Sequence, residues 1–411
     1  MTDRSAPSLF RNRDFMLLWG GQVVSELGSR ISVIAFPLLV LSMTGSAAKA
    51  GVVGFAATLP YLLFQLHAGG LVDRWNRKHT MIACDVGRAL ALGSIPLALW
   101  LVRLTFPHIA AVAFVDGTLY IVFSLCEGAA LPKVVSEDQL PSAIAQNEAK
   151  TRAAQLAGQP IGGLLFQLGR ALPFVVDAVS YVGSVISLLF VRAELQESRT
   201  EARHGLHREI AEGFGWLWHQ RFLRACALLI GATNFMFQAM VLVVIVLAQS
   251  RGASPAMIGV IFGCVGAGGL LGSFVGAWVQ RRIPTRVVVV GVNWLWAALL
   301  PLFVYVPWPV AYGPIFGAMA FVGPPWSVVV GTYELRLTPD RLLGRVQSVE
   351  GLLAWGSIPL GSLAAGFLLE TAGAISTVWT MVVLTALVAI GASISPSLRD
   401  VPEAPPMPGP V

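Results

Sequence analysis

The sequence predicts an all-α membrane protein of twelve transmembrane helices, arranged as two pseudo-symmetric six-helix bundles. Three observations carry this reading. The 411 residues are 55% hydrophobic and 12% charged, with a mean hydropathy of +0.71, whereas a soluble domain carries about 25% charged residues. Apolar runs of about 20 residues, enough to cross a roughly 30 Å hydrocarbon core as helix, recur along the whole chain rather than once near an end. The longest polar stretch, RAELQESRTEARHGLHREIAEG from Arg192 to Gly213, follows the sixth run and divides six from six.

The apolar windows, and the turn or charge signals between them, place the helices in order. They fall at 15–42, 48–71, 79–102, 109–131, 143–167, 171–191, 222–249, 255–279, 286–306, 310–335, 344–369 and 374–395. Ahead of the first, MTDRSAPSLFRNRDF lacks the apolar core and small-residue cleavage site of a signal peptide, so the first run is expected to stay as a span. The bundles are then residues 1–191 and 222–411, joined by a cytoplasmic linker at 192–221. Within FGWLWHQRFLR, aromatic and basic residues suit either an interfacial helix at anionic headgroups or a simple lead-in to the seventh span. Seven glycines, Gly259, Gly263, Gly266, Gly268, Gly269, Gly272 and Gly276, crowd the eighth span at spacings that permit close helix approach, expected between the bundles. In the tenth, GPPWS from Gly323 to Ser327 should kink the helix, because each proline removes a backbone donor. The end, SPSLRDVPEAPPMPGPV, is Pro-rich and reads as disordered.

Charge sets the orientation. With the N-terminus inside, Lys49, Arg103, Arg170 and Arg251 lie outside and Arg30 and Arg88 within helices, which leaves 22 of the 28 basic residues in the cytoplasm. The positive-inside rule therefore expects a multi-pass protein of the cell (inner) membrane with both termini cytoplasmic. The basic residues are dispersed among loops rather than gathered in a stripe, which argues against nucleic acid. Cys84, Cys126, Cys226 and Cys264 lie inside apolar runs with no metal-ligand spacing. There is no GxxxxGK[ST] loop, so ATP-driven transport by this chain alone is not expected. No catalytic triad or carboxylate pair can be placed at one depth, and the reading is not an enzyme.

An internal echo supports two related halves. SEDQLPSAIAQNEA followed by GQPIGG returns as TPDRLLGRVQSVEG followed by GSIPLG about 200 residues later. Six spans separate the copies, so they share one orientation, the parallel two-fold arrangement of one transporter class. Together with GGLVDRWNRK, Gly69 to Lys78, between the second and third spans, these features make the chain resemble the major facilitator superfamily over nearly its whole length. LFRNRDFMLLWGGQVVSELGSRI, DVGRAL, ALPKVVSEDQLPSAIAQNEA and FVVDAVSYVGS resemble more narrowly the branch with macrolide-efflux and enterobactin-exporter proteins. The chain departs from the superfamily pattern in three places. Asn76 stands where glycine is usual, and Asn tolerates the left-handed conformation of a tight turn. The antiporter motif of the fifth helix has its proline displaced by one, at Pro160. The fourth helix has no basic residue between His108 and Lys133.

Ionisable side chains at membrane depth cost roughly 2.5 to 3.5 kcal/mol on insertion scales and usually face a cavity or a partner. Gln22, Glu26 and Arg30 recur every four residues and share one face of the first helix, a stripe expected to line the central cavity. Glu26 with Arg30 is the candidate proton-coupling pair, against a static pair that fixes packing or a direct substrate contact. Asp116 and Tyr120, one turn apart in the fourth helix, are candidates for a cationic or hydrogen-bonding substrate, and Asp116 also for coupling. Asp177 and Tyr181 repeat the spacing in the sixth helix, where packing or gating is equally open. The second half reads as nearly free of mid-depth charge. Its polar candidates are Asn234, Gln238 and Asn293, with Trp326 either against an apolar substrate or a buried structural Trp.

The resemblance also implies a gate. Gly70, Asp73, Arg74, Arg77 and Lys78 form its turn, and Asp73 would engage the cytoplasmic start of the eleventh helix near Gly344 and Arg345, where a helix N-terminus attracts an anion. Glu127 is the expected partner of Arg77, and Asp85 with Arg88 would extend the network. Gln280 stands in the equivalent turn of the second half, so the latch is expected on one side only.

The leading function is a secondary transporter that exports an amphipathic small molecule (drug, antibiotic or siderophore-like) by alternating access in exchange for protons. It would act as a monomer, in the lipid bilayer, with a proton gradient as its energy source and no cofactor or metal. The alternatives are a lipid or lysophospholipid flippase on the same scaffold and, more remotely, a non-transporting membrane sensor.

Overall fold

The computed structural model describes residues 9–72, 75–196 and 206–399, without the side chains of 65–72, 206–210 and 340–341. The Pro-rich tail from residue 400 and part of the linker, 197–205, lie outside the described residues. The first half comprises α1 (Arg13–Thr44), α2 (Ala47–Val72), α3 (Arg77–Trp100), α4 (Phe106–Val134), α5 (Leu140–Leu168) and α6 (Leu172–Phe190). In the second are α7 (Leu206–His219), α8 (Arg221–Ser250), α9 (Pro255–Arg282), α10 (Thr285–Leu299), α11 (Leu302–Tyr305), α12 (Tyr312–Phe321), α13 (Gly323–Leu337), α14 (Asp340–Ile394) and α15 (Pro396–Arg399). Among the described residues there is no strand.

Ten segments among the described residues are long and apolar enough to cross a membrane. Two features account for the difference from twelve. α14 is a 55-residue run broken at Gly373 (φ 78°, ψ 169°), so it consists of two legs that meet where the eleventh and twelfth spans were expected to meet. α5 has ample length at 29 residues, but Glu148, Lys150 and Arg152 dilute its first half. Both cases follow from local chemistry. The backbone of Gly373 is open to glycine and strained for other residues, and α5 turns its polar side to partners described below.

Other helix boundaries follow from their residues as well. Gly45 closes α1 at φ 64°, returning its N–H to the Leu41 carbonyl, the left-handed cap that glycine favours. GPPWS produces a break rather than a kink: α12 ends at Phe321, and Pro324 and Pro325 occupy the first turn of α13, where backbone N–H groups need no intrahelical partner. The aromatic and basic segment before the seventh span is divided: residues 214–219 end a separate helix, α7, and residues 221–224 begin α8. A Cβ at Gly213 would come within 2.6 Å of the Arg345 carbonyl oxygen, so α7 lies directly on the start of α14. Arg345 ion-pairs with Glu212 there, while Phe214 and Trp218 stack at 5.1 Å.

By packing, the chain forms two compact units. The first is Met1–Gly45, Ala56–Glu201 and Ser254–Gly263, and the second is Ser46–Phe55, Ala202–Ala253 and Cys264–Val411. Compared with division in chain order, the first turns of α2 join the second unit and those of α9 join the first. In the first unit α1 packs on α5 and α6, and α3 on α4 and α6. Gly259 and Gly263 lay α9 on α5, where added Cβ atoms would meet the Gln159 carbonyl at 2.7 Å and the Pro160 ring at 2.6 Å. In the second unit α14 packs along α8 and α10. Farther along α9, Cβ atoms at Gly268 and Gly272 would fall 2.0 Å from the carbonyl oxygens of Gly317 and Phe321, so α9 and α12 touch backbone to backbone.

The same helix offers an internal control. Gly268→Val should destabilise the protein by about 1–3 kcal/mol, the range for overpacking, and lower its melting midpoint in detergent. Gly269→Val, where nothing lies within 4 Å of the new Cβ, should melt like the wild type. Equal melting of the two variants would contradict the close α9–α12 contact.

Candidate functional site

The first unit contains a connected group of buried polar side chains, and glycines make it possible. A Cβ at Gly28 would lie 2.2 Å from Ser180 Oγ and 2.6 Å from Asp177 Oδ1, so α1 and α6 approach closely enough for short side chains to join. Ser29 Oγ and the Tyr181 hydroxyl are 2.9 Å apart, and Gln22 Nε2 donates to Ser184 Oγ at 3.0 Å. Gln22 is thus absorbed by α6 and is 4% exposed, which separates it from the stripe it was expected to share with Glu26 and Arg30. Those two pair with each other: Arg30 Nη2 lies 2.6 Å from Glu26 Oε1, and the side chains are 24% and 12% exposed.

The centre of the group is Arg88, 2% exposed in α3. Its Nε donates to Asp116 Oδ1 of α4 at 2.9 Å, and its Nη2 donates to Ser29 Oγ of α1 at 3.2 Å. The guanidinium carbon sits 4.2 Å from the Tyr181 ring centroid and 5.2 Å from that of Tyr120. Asp177 and Asp85, both fully buried, are close enough to act on Arg88 electrostatically. Asp85 has two carboxyl oxygens and Asp177 one without a hydrogen-bond partner. The expectation for Asp116 and Tyr120 changes accordingly, because the cation they hold is the protein's own Arg88. Arg88 in turn belongs to this buried group rather than to an extension of the gate.

The gate residues are placed differently from expectation in three respects. Asn76 is not left-handed but extended (φ −65°, ψ 110°), and it caps α3 by accepting the His79 N–H; the position suits a short side-chain acceptor. Arg77 does not meet Glu127: its Nη1 donates to the carbonyls of Ala129 and Leu195, both at 3.0 Å. Glu127 is instead held by Lys150 of α5 at 2.7 Å, the partner that α5's charged face supplies. Lys78 Nζ donates to the Val191 carbonyl at 2.7 Å, at the end of α6. Asp73 and Arg74 lie outside the described residues, and Gly70 is described only as backbone of α2.

In the second unit the amides serve helix contacts. Asn234 Nδ2 donates to the Ala354 carbonyl at 2.9 Å and Gln238 Nε2 to Ser362 Oγ at 3.0 Å, both joining α8 to α14. Asn293 donates to its own helix at Val289, 3.1 Å away. Trp326 is buried, with part of its surface on a cavity. The expectation that this half is nearly free of internal charge fails at Glu334 and Glu350. Both lie inside the expected spans 310–335 and 344–369, Glu334 in α13 and Glu350 in α14.

The comparisons agree with this architecture. The family model described as transmembrane secretion effector matches residues 4–405. The multidrug efflux pump Tap of Mycobacterium tuberculosis is 28% identical over 421 residues, with 96% of each chain covered. Macrolide efflux protein A of Streptococcus pyogenes is 24% identical over 373 residues, covering 87% of this chain and 90% of the relative. Among solved structures, a mutant of the nucleoside transporter NupG has a TM-score of 0.74 at 12% identity, over 92% of this chain and 98% of that one. A bacterial homologue of the iron transporter ferroportin, in an inward-facing state, has a TM-score of 0.72 at 15% identity, over 93% and 98%. At such identities the solved structures speak for the fold alone.

Breaking a buried pair by removing one member costs about 3–5 kcal/mol, because it strands a charge. Arg88→Gln leaves Asp116, Asp85 and Asp177 without their shared cation, whereas Asp116→Asn leaves Arg88 two other acids. The Arg88 variant should therefore melt well below the Asp116 variant in detergent. A reversed order would mean that Arg88 is not the common counter-charge.

Proposed function

Because the chain belongs to the transmembrane secretion effector family of the major facilitator superfamily, we propose that it exports an amphipathic small molecule by alternating access, in exchange for protons. It is a multi-pass membrane protein, and its family and relatives are transporters rather than enzymes. Two relatives matched over most of their length are named as efflux proteins, which supports drug or antibiotic export over uptake. The predominance of basic residues on one side of the expected topology supports cytoplasmic termini in the cell membrane.

The observation that carries the coupling is the Glu26–Arg30 pair. Both groups lie in the middle of α1, and the contact between them is direct and short. A proton arriving at Glu26 removes the charge that holds Arg30, and a free guanidinium in apolar surroundings is costly. Protonation therefore favours whichever conformation hydrates Arg30, and deprotonation favours the one that restores the pair. A ligand that binds one of these conformations better shifts the same equilibrium, so proton and cargo are linked through it. The Arg88–Asp116 pair, within the same unit, is a second place where charge and conformation are joined.

Glu26→Gln should abolish uphill export of erythromycin driven by a proton gradient in everted vesicles, while gradient-independent exchange of the labelled drug continues. Undiminished proton-driven export by this variant would remove Glu26 from the coupling.

A further inference from the structure

Three acids of the first unit have their own ion-pair partners: Glu26 has Arg30, Asp116 has Arg88 and Glu127 has Lys150. In the second unit Glu212 likewise has Arg345, but two other acids depart from this pattern. Glu334 of α13 and Glu350 of α14 bring their carboxyls within hydrogen-bonding reach of each other. They stand on the wall of a cavity of about 270 Å³ between α8, α13 and α14, whose lining contains no Lys, Arg or His among the described residues. Glu334 is 9% exposed, and one oxygen of each carboxyl is buried with no hydrogen-bond partner. From α8 the titratable side chain facing the pair is Cys226, which brings no positive charge.

Buried acids with unfilled acceptors call for a positive partner. A proton shared by two carboxyls needs almost no space, because such a hydrogen bond spans about 2.6 Å. The cavity is far larger, with room for roughly nine waters at about 30 Å³ each. Gln347, within hydrogen-bonding reach of Glu334, and Ser327 are the other polar side chains of the wall, and Ile230, Ala354, Trp326 and Trp355 give it an apolar and aromatic part. Carboxylates at one side and indole faces at another suit a ligand with a charged head and an apolar body, since aromatic faces also attract cations.

We propose that this cavity binds a monovalent organic cation, an amine or quaternary ammonium whose head sits against Glu334 and Glu350 and whose apolar part lies over Trp326. That such a cation is cargo rests on the export reading above. That the cavity binds one does not, so the test uses binding alone with no gradient.

Full-length protein in detergent is treated with dicyclohexylcarbodiimide, which modifies carboxyl groups in apolar surroundings, and the modified peptides are located by mass spectrometry. The expected result is modification at Glu334 or Glu350 that benzyltrimethylammonium slows and its neutral isostere, neopentylbenzene, does not. Modification indifferent to the ammonium ion but abolished at alkaline pH would mark a site for a proton only and overturn the proposal. So would no modification at either residue. Equilibrium dialysis of labelled benzyltrimethylammonium supplies the affinity, which Glu334→Gln and Glu350→Gln should each weaken by about tenfold or more. Equal affinity in both variants and the wild type would also overturn it. The protection experiment needs only the wild type, so it stands whether or not the variants fold. Ammonium binding that persists in Glu26→Gln, alongside lost export, would separate this site from the coupling reading.

Discussion

Charge in a low-dielectric interior must be answered within a few ångströms, and in the first unit that requirement converges on Arg88. Coulomb attraction strengthens as the surrounding dielectric falls, and so does the penalty for a charge left alone. One guanidinium therefore sets the relation of four helices. Ser29 of α1, Asp116 and Tyr120 of α4, and Tyr181 of α6 all lie against a side chain that α3 delivers. A planar group with five donors can face several directions at once, which a lysine ammonium at the same place would not reproduce. Gly28 belongs to the same constraint, since a larger residue would displace Ser180 and Asp177.

The second unit is held together by other means. Its helices approach through glycine at backbone distance, and amides on α8 reach the carbonyl and hydroxyl oxygens of α14. Such contacts position helices without burying charge. Glu212 meets Arg345, but two of its acids, Glu334 and Glu350, border a cavity rather than an arginine. The two units thus treat carboxylates in opposite ways. In one, Arg88 supplies a built-in counter-charge for several acids, and in the other Glu334 and Glu350 face a cavity with no basic residue in its lining among the described residues.

Much of the fold was legible in the sequence because apolar length and loop charge are local properties. The helices, the interruption at GPPWS and the join near residue 373 follow from residue type and spacing. The Glu26–Arg30 pair was equally legible, being one turn apart on one helix. Arg88 and Asp116 were both visible as mid-depth charges, but their pairing joins α3 to α4, and no spacing within a single helix encodes it. The same holds for Glu127 and Lys150. Asn76 misled in a different way, since Asn suits both a left-handed turn and a helix cap, and only the backbone dihedrals distinguish the two. Glu334 and Glu350 lie inside the expected tenth and eleventh spans, but their approach joins α13 to α14, and no spacing within a single helix encodes it.

The first turns of α2 have a consequence for biosynthesis. Residues Ser46–Phe55 belong to the second unit, and Gly51 and Gly54 rest on Gly366 and Ser362 of α14. A ribosome adding about 5–20 residues per second reaches α14 only some tens of seconds after it has made α2. During that interval this face of α2 has only lipid or transient neighbours, and it must be inserted without its partner. Glycines meet both demands, because they expose no polar side chain while waiting and leave room for backbone contact once α14 is made. Early synthesis and late packing thus meet at the same ten residues.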